Sequence, residues 1–128
     1  MGYYITQGET EILIKAEHHM AIVQKIKEFV YGGNHFDWTN DNTILNTFSV
    51  EIIFSEVGWN PQYDEQGDII GLEFVCEKLG SEDVFFELIA EFVEDGSYIT
   101  IHGECEDSWR YVFNNGKMQI LQGRIIYE

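Results

Sequence analysis

A chain of 128 residues, 45% hydrophobic and 15% aromatic, has enough apolar surface to bury a core, which excludes a disordered chain. Its 23 acids against 7 bases leave a formal net charge of −16, which excludes a surface built to grip nucleic-acid phosphates. No apolar run reaches the length of a membrane span, and the opening residues lack the basic start and apolar stretch of a signal peptide. The expectation is a soluble, cytoplasmic protein folded as a single domain over residues 1–128.

Taken in chain order, residues 3–7 are β-branched and aromatic and predict a first strand, with Gly8 as punctuation. Residues 10–14 alternate polar and apolar and predict a short second strand. The period then changes: Met20, Val23, Ile26 and Phe29 or Val30 form one helical stripe, while Gln24, Lys25, Lys27 and Glu28 face away. Gly32, Gly33 and Asn34 tolerate positive φ and stop this helix. Residues 43–56 admit two readings. Asn40, Asp41 or Asn42 suits a helix N-cap, whereas the run from Val50 to Phe54 is rich in β-branched residues and suits a strand. Helix is favoured, with Ile44 or Leu45, Phe48 and Ile52 on its buried side.

Residues 62–76 predict a hairpin around Asp64-Glu65-Gln66-Gly67, a type I turn followed by a left-handed glycine, with Gly71 as a bulge. Ser81 followed by Glu82 and Asp83 announces a helix, with a hydroxyl cap and acids at the positive end of the dipole. Phe85, Leu88, Ile89, Phe92 and Val93 would be buried, and Glu82, Glu87, Glu91 and Glu94 would face out. Three strands follow near residues 97–103, 109–114 and 117–127, the last two joined by the hairpin signal Asn114-Asn115-Gly116. Strands without regular βαβ alternation predict an α+β fold. One mostly antiparallel sheet of five to six strands would carry two to three helices on one face.

The charge is unevenly spread. From Glu28 to Trp109 there are nineteen acids and one base, Lys78, while the other six bases lie toward the ends. Such a field repels itself and lowers stability, but it confers solubility and steers basic partners.

The opening Met1-Gly2-Tyr3-Tyr4-Ile5, the hairpin from Tyr63 to Ile69, the stretch from Val93 to Ile99, and Gly103-Glu104 with Trp109-Arg110-Tyr111-Val112-Phe113 together resemble a loose group of small acidic proteins of bacteria and their phages. The likeness spans most of the chain. Its motifs are turn, cap and strand signals, so it implies a shared fold more than a shared chemistry. In size and charge alone the chain is also similar to anti-CRISPR and other anti-defence inhibitors.

Motifs for chemistry are sparse. His102-Gly103-Glu104-Cys105 has one local ligand pair, with Cys76 or His35 to complete it, but structural zinc sites show two close pairs. His18 and His19 are adjacent in a helical turn and share no face. Asp64 to Asp68 lacks the ligand order of a calcium loop, and reduced thiols are expected at Cys76 and Cys105. No nucleophile elbow, phosphate-binding loop or dinucleotide fingerprint occurs. Neither a metal nor a cofactor is expected, and no catalytic residue is assigned.

What is left is a binding role. Carboxylates around aromatic anchors suit an arginine-rich partner, since arginine both pairs with carboxylate and stacks on rings. The expected contact residues are Asp64, Glu65 and Asp68 at the hairpin tip, Glu104, Glu106 and Asp107 in the later loop, and partly exposed Trp38 and Trp59. The expected partner is a basic protein that handles nucleic acid, and the narrowest form of this reading is a phage anti-defence inhibitor. Neither direct nucleic-acid binding nor membrane binding is expected. The alternative is a housekeeping domain that binds a small ligand between sheet and helices, its acidity only solubilising.

Overall fold

The computed structural model describes residues 5–34, 36, 39–75, 82–103 and 108–123. Six strands and four helices follow one another as β1 (Ile5–Glu11), α1 (His19–Tyr31), α2 (Asp41–Leu45), α3 (Val50–Glu56), β2 (Trp59–Tyr63), β3 (Ile69–Phe74), α4 (Glu82–Ile89), β4 (Ser97–Gly103), β5 (Ser108–Asn114) and β6 (Lys117–Gly123). Short 3-10 turns at Ala16–His18 and Ala90–Phe92 precede α1 and follow α4. The fold is α+β and all strand pairs are antiparallel, in a four-stranded sheet ordered β1-β4-β5-β6 and a two-stranded sheet of β2 and β3.

The single sheet of five to six strands is thus corrected to four plus two, and β1 shows why. Residues 5–11 form one strand rather than the start of two, with a bulge between Gln7 and Thr10. Gly8 sits at this bulge, where an added Cβ would lie 2.5 Å from the His102 ring. A bulge bends its strand and breaks the regular edge that a third neighbour would need. The Gln7 side chain fills the seam instead: its amide donates to the Leu72 carbonyl at 2.7 Å and accepts from the Phe74 N–H at 2.8 Å. A primary amide has the donor and acceptor of a peptide group, so it stands in for a strand residue. Further along, Ile14 and Ile69 exchange backbone hydrogen bonds at 2.9 and 2.8 Å.

The expected helix over 43–56 is two helices. Asn40 caps α2 by accepting from Thr43 N–H at 3.2 Å, and Ser49 caps α3 by accepting from Ile52 N–H at 3.4 Å. Between them the Thr47 carbonyl accepts from Lys27 Nζ at 2.9 Å, so a side chain from α1 occupies it. The restart changes the helical phase. Val50, Ile53 and Phe54 now face the core, while Phe48 and Ile52 face outward. A similar shift occurs in α1, where Ile22 joins Val23, Ile26 and Val30 inside and Met20 is exposed. In α4 the inner residues are Phe85, Phe86 and Ile89, with Ala90 and Val93 beyond the helix end. Leu88 and Phe92 are only half-buried against the core. Glu87, Glu91 and Glu94 face solvent as expected, but Glu82 is buried.

The core joins the helices to both sheets through aromatic rings. Phe86 on α4 lies 5.4 Å from Phe85, 5.3 Å from Trp59 on β2, and 5.7 Å from Tyr111 on β5. These separations are those of edge-to-face and tilted aromatic pairs, which add to the gain from burial. Ile99, Ile101, Tyr111 and Phe113 turn inward under this layer, and the opposite sheet face carries Tyr98, His102, Arg110 and Val112. Gly33 ends α1 at φ 101°, and the β5–β6 hairpin turns through Asn115 and Gly116 at φ 56° and 75°. Two successive left-handed residues give the twist that matches paired strands.

Candidate partner-binding surface

Of the three hairpin-tip carboxylates expected to make contact, two hold the fold together. Asp64 Oδ1 accepts from the Gln66 N–H at 3.0 Å and the Asp68 N–H at 2.9 Å, closing the turn. Asp68 Oδ1 accepts from the Ala16 N–H at 2.7 Å, and its other oxygen lies 3.9 Å from Lys15 Nζ. Asp68 therefore clips the hairpin to the turn that opens α1. Glu65 stands exposed at the tip.

Trp59 corrects a further expectation. It is wholly buried rather than partly exposed, tilted against Phe74 at 5.1 Å and edge-on to Phe86 at 5.3 Å. Gly58 precedes it at φ 95°, a left-handed turn that delivers the indole into the core. Trp38, Glu104, Glu106 and Asp107 lie outside the described residues. So do Cys76, Cys105 and His35, and among the described residues no three His, Cys, Asp or Glu side chains gather as a metal site. No helix among the described residues is long and apolar enough to cross a membrane.

Four of the described cations, Lys15, Lys25, Lys27 and Arg110, are engaged internally, and Lys117 is exposed. Lys25 Nζ lies 3.1 Å from Glu91, and Arg110 lies 3.7 Å from Glu9. Arg110 also donates to Thr100 Oγ1 at 2.8 Å and stacks 4.4 Å from the Tyr98 ring centre. Lys27 Nζ sits 3.9 Å above the Phe48 ring centre besides its bond to Thr47. Carboxylates remain on every side: Glu9 and Glu11 on β1, Glu51 on α3, Glu73 on β3, and Asp83 and Glu87 on α4 are all exposed. A shallow depression of about 440 Å³ has Glu11, Glu94 and Asp95 in its rim with Ile70. Asp95 Oδ1 there accepts from the Asn115 N–H at 2.7 Å.

Burial shifts four titrating groups, and nearby carboxylates add to the shifts of the three tyrosines among them. The Tyr98 phenol is pushed up by desolvation and by Glu11 and Glu9 beside it. Tyr63 is pushed up by desolvation and by Glu51. His19 is pushed down, because burial disfavours its charged form more than its bond to Ile14 and the nearby Asp68 favour it. Tyr111 donates its hydroxyl proton to Asp83, and burial together with that bond holds its phenol far above the usual range.

Apolar residues not expected at the surface are exposed: Met20, Tyr31, Phe48, Ile52 and Tyr63. Met20, Phe48 and Ile52 stand on apolar stripes that the sequence alone directs inward, and Tyr31 and Tyr63 stand on none. No protein-family model, curated protein or solved structure matches the chain.

Proposed function

We propose that this protein is a non-enzymatic binding protein whose acidic surface engages a basic protein, of the kind whose own surface is shaped to hold nucleic acid. The observation that carries the reading is the imbalance of available charge. Lys15, Lys25 and Arg110 lie against acids of the same chain, and Lys27 lies on a backbone carbonyl and a ring. Among the described residues, Glu11, Glu51, Glu65, Glu73, Glu87 and Glu94 are exposed against one further exposed lysine, Lys117, so the surface attracts positive charge from a distance. Its narrowest form is an inhibitor that occupies the nucleic-acid site of a defence protein, a reading supported by size and charge.

Capture from a host lysate, followed by association kinetics with the recovered partner, tests the proposal. The association rate should fall steeply with salt, since exposed charges are screened over about 8 Å at physiological ionic strength. Nucleic acid should compete for the same partner. A salt-insensitive rate, or a partner that binds this protein and nucleic acid together, overturns it.

A further inference from the structure

We infer that the exposed side of α1 and α3, extended by Tyr63, docks a basic amphipathic segment of the partner protein, with apolar side chains meeting its centre and cations meeting its edge. The inference rests on the proposed acidic-binding role and says where the contact is made. Met20 is 57% exposed, Phe48 71%, Tyr31 84%, Ile52 41% and Tyr63 39%. Together they are half of the ten large hydrophobic residues exposed among the described residues.

Two contacts tie α1 to its neighbours on this side, Lys27 with Phe48 and His19 with Tyr63. On α1, Met20, Lys27 and Tyr31 follow an i, i+7, i+11 spacing, which places them on one side of the helix. Lys27 Nζ lies 3.9 Å from the Phe48 ring centre, joining that side to α3. Phe48 and Ile52 are four residues apart across the start of α3, and Glu51 on the same helix is exposed. Tyr63 lies edge-on to His19, the first residue of α1, at 6.2 Å. Glu65 follows two residues after Tyr63 in the exposed turn.

The fold does not require this exposure. The inward sides of the same helices already supply Ile22, Ile26, Ile53 and Phe54 to the core. Apolar residues gathered on a soluble surface and rimmed by charge mark a contact site. Charge decides the occupant. Glu17, Glu28, Glu51 and Glu65 on the surrounding elements are exposed, and the one base within the patch, Lys27, is already held by Thr47 and Phe48. A cationic segment gains at this rim, whereas a second copy of a chain carrying −16 is repelled.

The probe is a synthetic helical peptide with leucines on one side and arginines on the other, paired with a control in which serines replace the leucines at equal charge. Titrated into the full chain, the first peptide should shift backbone amide resonances around residues 20–31 and 48–52 and at Tyr63. The control should bind more than about tenfold more weakly. Phe48→Ser with Ile52→Ser should weaken the leucine peptide about tenfold or more and leave the salt dependence of association unchanged. Glu51→Gln with Glu65→Gln should slow association and flatten its salt dependence. If the leucine and serine peptides bind alike, or the shifts map elsewhere, the docking side is wrong while the acidic-binding reading stands. If neither peptide binds, both fail. Sedimentation of the chain alone adds a control: dimers that dissociate on Phe48→Ser with Ile52→Ser would mark a self-interface and overturn the assignment. The resonance map uses the unmutated protein, so the test survives a variant that folds poorly.

Discussion

The open side of the four-stranded sheet and the outer side of α1 and α3 handle exposure in opposite ways. On the sheet, Arg110 stacks on Tyr98, bonds Thr100 and lies near Glu9, so an aromatic, a hydroxyl and an acid share one cation. On the helices, Lys27 covers part of Phe48, yet that residue stays 71% exposed, and Met20, Tyr31 and Ile52 are exposed as well. A polar surface that satisfies itself gains little from a partner. An apolar one that stays wet gains a great deal when covered. The difference separates a face that finishes the fold from one left available for contact.

The largest expected effect lies beneath both. Phe86→Ala should lower stability by about 3–5 kcal/mol, read as a shift in the urea midpoint, because its ring joins α4 to Trp59 and Tyr111. A much smaller loss would mean that the helix layer and the sheets are not tied through this ring, and the two sides would then fail separately. Next comes Asp68→Ala, which removes the acceptor of the Ala16 N–H and so loosens the entry to α1. A cost of about 1–3 kcal/mol is expected, with Asp68→Asn recovering much of it by keeping an acceptor oxygen. Amide exchange measured after Asp68→Ala should rise in α1 and remain unchanged in β5, which sharpens the contrast between the two sides.

The pH dependence should also divide them. His19 lies under the helix side against Tyr63, and its folded pKa is lowered from 6.5, chiefly by burial. Below that value the unfolded chain binds the proton more readily than the folded one. The stability His19 contributes is therefore complete above 6.5 and is lost as pH falls toward the lower folded value. Urea midpoints between about pH 7.5 and pH 5.5 should fall less in His19→Gln than in the parent. Equal slopes would remove the histidine from the account. The smallest effect belongs to Glu65→Gln. Stability should change by less than about 0.5 kcal/mol, since its carboxylate makes no turn bond of the kind Asp64 makes. Asp64→Ala, by contrast, should open the turn, because its carboxylate accepts from the Gln66 and Asp68 N–H groups.

Much of the local structure was legible in the residues themselves. Gly33, Gly67 and Gly116 mark left-handed turns that other side chains resist, and they stand where the helix end and the two hairpins were expected. The α+β class followed from the order of elements, because period and punctuation act over a few neighbours. The candidate site was legible only as charge. Of the tip residues, Asp64 and Asp68 serve the fold and Glu65 remains for contact, and nothing in the linear order of these acids distinguishes their roles.

Tertiary structure decided what depends on distant partners. Whether Phe48 faces in or out turned on Lys27 reaching across to the Thr47 carbonyl and on Ser49 restarting the helix, which moved Ile53 and Phe54 inside in its place. Whether six strands make one sheet or two turned on the bulge at Gly8 and on the Gln7 amide meeting β3 some 65 residues away. Trp59 is aromatic and lies three residues after Glu56, as a contact residue would, but Phe74 and Phe86 pack against it in the core. Periodicity says which residues share a side of an element. Only packing says which side is dry, because burial is settled by whatever the rest of the chain brings against it.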